Sequence, residues 1–481
     1  MSTNDSNNNS MNKSTFHAAM YPWFAMGHLT PFLHLSNKFA EKGNKVSFFS
    51  PRKTITKLQQ SNLHPNLITF YPLDVPHVDG LPHGAETMSD VHISISHLLI
   101  TAFYLLKDHV QSLLIELKPN VVFYDFAEWI PSFTTPLGIK SLHHTVVSAA
   151  STAYLLVPSR HLDSASIARL SPNGEDKTNT EIKLMGPPPG FPLNSPIMLH
   201  RHEVKTITPF VTRKNEVTGL SFYEQVTNSL KACDSISIRT CREIEGPYCD
   251  YIETQYGKPV LLTGPALPEK LTKPLEEKWA NWLGVFSPGS VLYCAFGSEW
   301  VLRKDQFQEL LLGFELTEMP FFVALKPPIG CTTVEEALPE GFEERVRQRG
   351  VVHGGWVQQP QILAHPSVGC FVTHCGFGSM WEALMSHCQI VLMPHLGDQF
   401  LNTRILAGDL KVGVEVERRE EDGWFTKENF SRLVKGVMDE TDPIGIEIRE
   451  NHNKLRETLS NKALENSYTD NFISKIQDLM K

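Results

Sequence analysis

Cysteine is scarce: the 481-residue chain has eight, spread singly, with no C-x-x-C pair. That pattern excludes a disulfide-stapled scaffold and points to a reducing compartment. Cys370 and Cys375 flank a run read as a buried strand, where free thiols pack as small hydrophobes. Excess positive charge is also missing. With 44 Lys and Arg against 53 Asp and Glu the formal net charge is −9, which argues against nucleic acid as a partner. No run reaches the ~20 apolar residues that a membrane-spanning helix needs. The best candidate, 91–106, is interrupted by His92, Ser94, Ser96, His97 and Thr101 and reads as a buried helix. The start carries no basic segment followed by an apolar one; residues 1–15, rich in Asn and Ser, read as a disordered tail. A cytoplasmic chain without a membrane span is the expectation.

What is present is alternation. At this length one core does not suffice, and two domains are the default. A short apolar run at 16–21 meets a Gly27-His28 turn, where Thr30 reads as an N-cap with Pro31 at the first helical position. Phe32, Leu35 and Phe39 then share one helical face, and Gly43 can close the helix. Runs at 45–50, 67–71 and 120–124 read as further strands, the last ending at Asp125. This is the α/β pattern of a parallel, doubly wound sheet. Residues 158–200, with a polar patch at 173–180 and the rigid run Gly186-Pro-Pro-Pro-Gly190, read as an irregular binding loop or lid. Beyond a join at 258–274 the alternation resumes: 290–296, the turn Gly297-Ser298, helix Lys304–Thr317, strand 320–325, then 412–416 and two charged helices.

The most informative stretch is 356–399. There the apolar run Val368–Thr373 feeds the turn His374-Cys-Gly-Phe-Gly378, and a helix is read from Ser379. A helix start leaves N–H groups unpaired and its dipole favours negative charge. Gly376 and Gly378 let a ligand approach the main chain. A phosphate-bearing small molecule is the natural occupant. Gly376 to Trp381 reads G-x-G-x-x-W, with Asp398 downstream, which partly matches a dinucleotide fingerprint. Trp381 stands where that fold needs a small residue. These residues alone leave open a nicotinamide-type dinucleotide, hence an oxidoreductase, or another nucleotide diphosphate.

Trp356, Gln359, His365-Pro366, Gly369, His374-Cys375-Gly376, Ser379, Glu382, Pro394 and Asp398-Gln399 resemble the sugar-nucleotide signature of plant UDP-dependent glycosyltransferases. The likeness extends to His28, Asp125, Gly297-Ser298 and the C-terminal segment, and so covers nearly the whole chain. The runs at 20–32, 374–384 and 397–406 resemble the branch that adds a sugar to the sugar of a flavonoid or anthocyanin 3-O-glycoside; terpenoid or steroid glycosides are the alternative acceptors. Phe377-Gly378 departs from the family, most of whose members carry Trp-Asn there, and that leaves the donor sugar open.

The resemblance implies a GT-B fold of two facing Rossmann-like domains: 16–260 for the acceptor, 261–455 for the UDP-sugar, and a helix in 456–481 returning to the first. It implies a metal-independent, inverting transferase for which UDP-sugar is a co-substrate and no cofactor is needed. No Asp-x-Asp occurs, the motif with which metal-dependent sugar transferases hold a divalent cation. His28 becomes the base and Asp125 its partner. Read from the residues alone, His28 is first a turn histidine, and Asp125 is equally a helix N-cap before Phe126. Trp356 becomes the platform for uracil, with Val357 and Gln359 at its edge; without the motif it reads as core filler. His374, Gly376, Phe377, Gly378 and Ser379 line the diphosphate, with a hydroxyl from Ser298. Glu382 takes the ribose, though Ser379 and Glu382 also spell a capping box. Asp398 and Gln399 hold the sugar, and Gln at that place leans to UDP-glucose over UDP-xylose or UDP-rhamnose. Trp23, Phe24 and Trp129 are expected to line the acceptor cleft of a monomer.

Overall fold

The computed structural model describes residues 15–164, 166, 177–267, 273–297 and 300–481. Short, almost wholly buried apolar runs form two parallel sheets, as expected for strands covered by helices on both faces. The first holds β1 (His17–Tyr21), β2 (Lys45–Pro51), β3 (Ile68–Leu73), β4 (Val121–Tyr124), β5 (Lys140–Thr145), β6 (Ser235–Ile238) and β7 (Val260–Leu262), in the order β3-β2-β1-β4-β5-β6-β7. The second holds β8 (Val291–Ala295), β9 (Phe321–Ala324), β10 (Gly350–His353), β11 (Val368–Thr373), β12 (Gln389–Leu392) and β13 (Gly413–Glu415), in the order β10-β9-β8-β11-β12-β13. In each sheet the chain winds outward one way, then returns to the middle and winds the other way. The reversal falls between β1 and β4 in one and between β8 and β11 in the other. Ligands of open parallel sheets bind beyond the carboxyl ends of the strands at such points.

Three local expectations need correction. The helix after β1 runs Met26–Glu41 with Ala25 as its N-cap, so Thr30 is not the cap and Pro31 lies inside. Pro31 lies beyond the first turn, where it withholds a donor from the Gly27 carbonyl. His28 therefore sits on the first turn of a rigid helix. At the other end Gly43, with φ of 83°, closes it as expected. Second, the segment 158–200 is not wholly irregular: it contains helix Lys177–Met185, held where the Tyr154 hydroxyl donates to the Leu184 carbonyl at 3.0 Å. Third, the helix after β11 starts at Phe377, two residues before Ser379.

Helix Ser96–Leu105 buries Leu99, Ala102, Phe103 and Tyr104, in keeping with the reading of 91–106. Among the described residues no single helix is long and apolar enough to cross a membrane. The final helix, Lys462–Leu479, packs Phe472 on Phe39 and Phe123 of the first sheet's core, with ring centroids 6.0 and 6.2 Å apart.

One glycine of β11 is sterically required. A Cβ on Gly369 would lie 1.9 Å from the Gly289 carbonyl oxygen, where the β8–β11 register shifts. Neither backbone can yield without breaking the ladder. Gly369→Ala is expected to destabilise by about 3 kcal/mol or more, read as a lowered urea midpoint.

Candidate active site

Both switch points carry chemistry. In the first domain β1 and β4 are neighbours, and the residues that follow them meet. His28 Nδ1 lies 2.7 Å from Asp125 Oδ2. The other carboxylate oxygen, Oδ1, accepts the backbone N–H groups of Trp23 at 2.8 Å and Phe126 at 2.7 Å. Asp125 is thus an acceptor-only group held by three donors. It is no N-cap, because the next helix begins at Ile130. With Nδ1–H committed to the carboxylate, the neutral imidazole keeps its lone pair on Nε2. The His28 side chain is 19% exposed and that of Asp125 only 4%, so the imidazole faces outward from a buried support.

In the second domain the turns after β8 and β11 meet in the same way. A Cβ on Gly297 would come within 2.8 Å of His374 Nε2, and Gly297 has φ of 69°, so this turn needs glycine twice over. Ser298 lies outside the described residues. A Cβ on Gly376 would meet the same ring at 2.5 Å. Burial pulls His374 down to about 4, against the pull of the Ala295 carbonyl, so the ring is neutral at pH 7 and has an N–H rather than a charge to offer. Helix Phe377–Met385 has no side-chain cap and no acid in its first turn, so its N–H groups remain available to an anion. Phe377 contributes only its backbone: its ring is buried, edge-on to Trp381 at 6.4 Å. Gly378 is exposed, with nothing within 4 Å of where a Cβ would lie.

The capping box does not form, because Ser379 is the third residue inside the helix. Instead the Gln359 amide donates to Glu382 Oε2 and, at 3.3 Å, to Ser379 Oγ, while its oxygen accepts from the Tyr293 hydroxyl at 3.2 Å. Gln359 therefore orients Glu382 and Ser379. Burial raises the Glu382 carboxyl above its ordinary range, and Gln359 and Arg239 oppose the shift. Trp356 is 80% exposed, which is incompatible with core filling and leaves an indole face open. The Val357 side chain is buried and its carbonyl accepts from Gln359 N at 2.9 Å, so its backbone and not its side chain is what it offers to a base edge. Asp398 precedes helix Gln399–Arg404 and accepts from Asn402 Nδ2 at 2.9 Å. The Gln399 oxygen accepts from His395 N at 3.0 Å and Leu396 N at 3.2 Å, which leaves its NH₂ as the polar group for a ligand.

Two observations join the halves. Buried Glu203 of the first domain pairs with Arg404 at 2.7 Å, on the same helix as Gln399, and Arg404 also binds Glu415. A cavity of about 950 Å³ is lined both by Pro31, His34 and Lys38 of the His28 helix and by Trp356 and Gln358.

Residues 347–442 match the family model described as UDP-glucoronosyl and UDP-glucosyl transferase. A cyanidin 3-O-galactoside 2''-O-xylosyltransferase of Actinidia chinensis var. chinensis is 54% identical, covering 98% of this chain and 100% of its own. The chain belongs to the plant UDP-glycosyltransferases. An anthocyanidin 3-O-glucoside 2''-O-glucosyltransferase of Ipomoea purpurea is 50% identical over 97% of this glycosyltransferase and 99% of its own chain. Among solved structures, UGT73P12 of Glycyrrhiza uralensis, complexed with glycyrrhetinic acid 3-O-monoglucuronide, matches with a TM-score of 0.78 at 20% identity, covering 97% of this chain and 96% of that one. At that identity it shows the fold, which is GT-B.

On the acceptor side of this glycosyltransferase one expectation fails. Phe24 is fully buried, stacked on Trp23 at 6.2 Å and edge-on to Phe103 at 5.1 Å, so it supports the wall without forming it. Trp23 and Trp129 are also buried, at 6% and 7% exposure. Aromatic residues near a catalytic turn read alike in sequence whether they face a cleft or a core. The open aromatics are others: Phe126, 5.3 Å from the His28 ring, then Phe222 at 5.5 Å from Phe126, then exposed Phe210 at 4.4 Å from Phe222. Only the adjacency of Phe126 to Asp125 could have flagged any of them.

Proposed function

We propose that this enzyme transfers a sugar from a UDP-sugar to a hydroxyl on the sugar of a flavonoid or anthocyanin 3-O-glycoside, with inversion, forming a 2''-O-linked disaccharide. The carrying observation is the His28–Asp125 pair at one switch point and the amide-rich turn around His374 at the other. The printed activities of relatives 50 and 54% identical support the acceptor class. In the first step His28 Nε2 takes the proton of the acceptor hydroxyl. The oxygen attacks the anomeric carbon of the UDP-α-sugar as the bond to the diphosphate oxygen breaks, leaving a β-linkage. Asp125 stabilises the imidazolium. The charge that develops on UDP meets the first-turn N–H groups of Phe377–Met385 and the His374 N–H, which are fixed before the reaction begins.

Trp356 carries uracil, Glu382 the ribose, and Asp398 and Gln399 the transferred sugar. Stacking on an exposed indole is worth about 1–3 kcal/mol per base. Trp356→Ala is therefore expected to raise the KM for the UDP-sugar about tenfold or more with little change in kcat, measured by UDP release. UDP-glucose and UDP-xylose are the donors to test first, beside UDP-rhamnose and UDP-galactose. Product analysis should show a β-linked second sugar on quercetin or cyanidin 3-O-glycosides. Turnover of free aglycones with none of their 3-O-glycosides would refute the acceptor assignment.

A further inference from the structure

Arg239 follows β6 directly, at the ligand-facing end of the first sheet, and its backbone N–H is fixed to the Thr145 carbonyl at 3.1 Å. Its side chain is partly buried, and the protein around it pulls the guanidinium down to about 10, so it stays charged at neutral pH. A cation largely enclosed by protein ordinarily has acceptors. Arg404 pairs with Glu203 at 2.7 Å, and buried Arg160 donates to the Gly186 carbonyl at 2.7 Å. Among the described residues no acceptor hydrogen-bonds the Arg239 guanidinium. Its principal charge partner is Glu382, on the other domain. Arg239 opens onto the interdomain cavity of about 950 Å³ that Trp356 also lines. Beside it, buried His144 Nε2 also lacks a partner.

We infer that Arg239 is the acceptor domain's contact to the nucleoside half of the donor: it opens onto the cavity that Trp356 lines and donates to the bound nucleotide. The inference rests on the proposed donor site and deepens it. Five N–H donors without acceptors, in a cavity bearing an exposed indole, match a polyoxygenated nucleoside. Because Trp356 and Glu382 mark the nucleoside half and not the sugar, the contact is common to every UDP-sugar. It should therefore change affinity and leave donor choice unaltered. It also makes nucleotide binding draw the two domains together.

The test titrates UDP, without any sugar, into the full-length enzyme by calorimetry. Arg239→Met keeps the bulk and removes the donors; Arg239→Lys keeps a charge. Losing a charge-assisted contact should weaken UDP about tenfold in R239M and less in R239K. The KM values for UDP-glucose and UDP-xylose should rise by that same factor, with kcat and the glycoside KM within about twofold. Undiminished UDP affinity in R239M, with W356A weakened, overturns this contact and spares the donor site. If W356A also binds UDP normally, the donor-site reading itself fails. An R239M defect that R239K does not relieve, or one that falls on kcat and glycoside KM alike, marks a structural role and overturns the inference.

Discussion

Replacing His28 by alanine is expected to cut the transfer rate by about 10² to 10⁴, the usual worth of a positioned base, while UDP affinity stays within a few fold. The separation of effects follows from the architecture. His28 stands on the first turn of Met26–Glu41 in one domain, and the groups assigned to UDP follow β8 and β11 in the other. Removing the imidazole leaves the acceptor hydroxyl without a proton acceptor and does not disturb the turn around His374. The measurement is UDP release under saturating donor, beside calorimetric UDP binding. Undiminished turnover would dismiss His28 as the base. Loss of UDP binding along with activity would mean that the two domains are coupled more tightly than the proposed division of labour allows.

Asp125→Asn is expected to cost nearly as much, about 10³ to 10⁴ in kcat, although it changes neither size nor shape. The reason lies in the two amides that already bind this side chain. Trp23 N–H and Phe126 N–H point at Oδ1, at 2.8 and 2.7 Å, so the asparagine must place its oxygen there and its NH₂ toward His28. Nδ1 then faces a donor and must itself become an acceptor, which moves the ring proton to Nε2. The base presents an N–H to the hydroxyl it should deprotonate. The flipped amide is no escape, since it would set NH₂ against two N–H groups. A crystal structure of D125N should show an unmoved ring, and the rate loss should persist at every donor concentration. A variant with near-normal kcat would show that Asp125 merely buttresses the loop.

Much of the fold was legible from local pattern. Buried parallel strands are continuous apolar runs, and helix Lys304–Thr317 and strand Val368–Thr373 were delimited to the residue. Helix starts were less legible. Pro31 reads as a first-turn residue, but the chain leaves β1 so sharply that the helix begins at Met26. Ser379 and Glu382 spell a capping box only if the helix starts three residues later than it does, and the true register gives Glu382 to Gln359. Phe24 illustrates a different limit: an aromatic residue next to a catalytic turn has the same letter code whether it faces ligand or core, and burial alone separates the two.

By itself the sequence determined the α/β alternation, the glycine-bearing turn at 374–378 before a helix and, through the resemblance of 356–399, the donor class. Those are properties of neighbouring residues, set by turn chemistry and periodicity. The tertiary structure alone decided that Glu203 meets Arg404, 201 positions apart, and that Arg239 and Trp356 line one cavity, and it gave the expected His28–Asp125 pair, 97 apart, its geometry. Such pairs depend on the order in which strands enter a sheet and on how two sheets face each other. No local propensity encodes that order, because it arises from burying all thirteen strands at once.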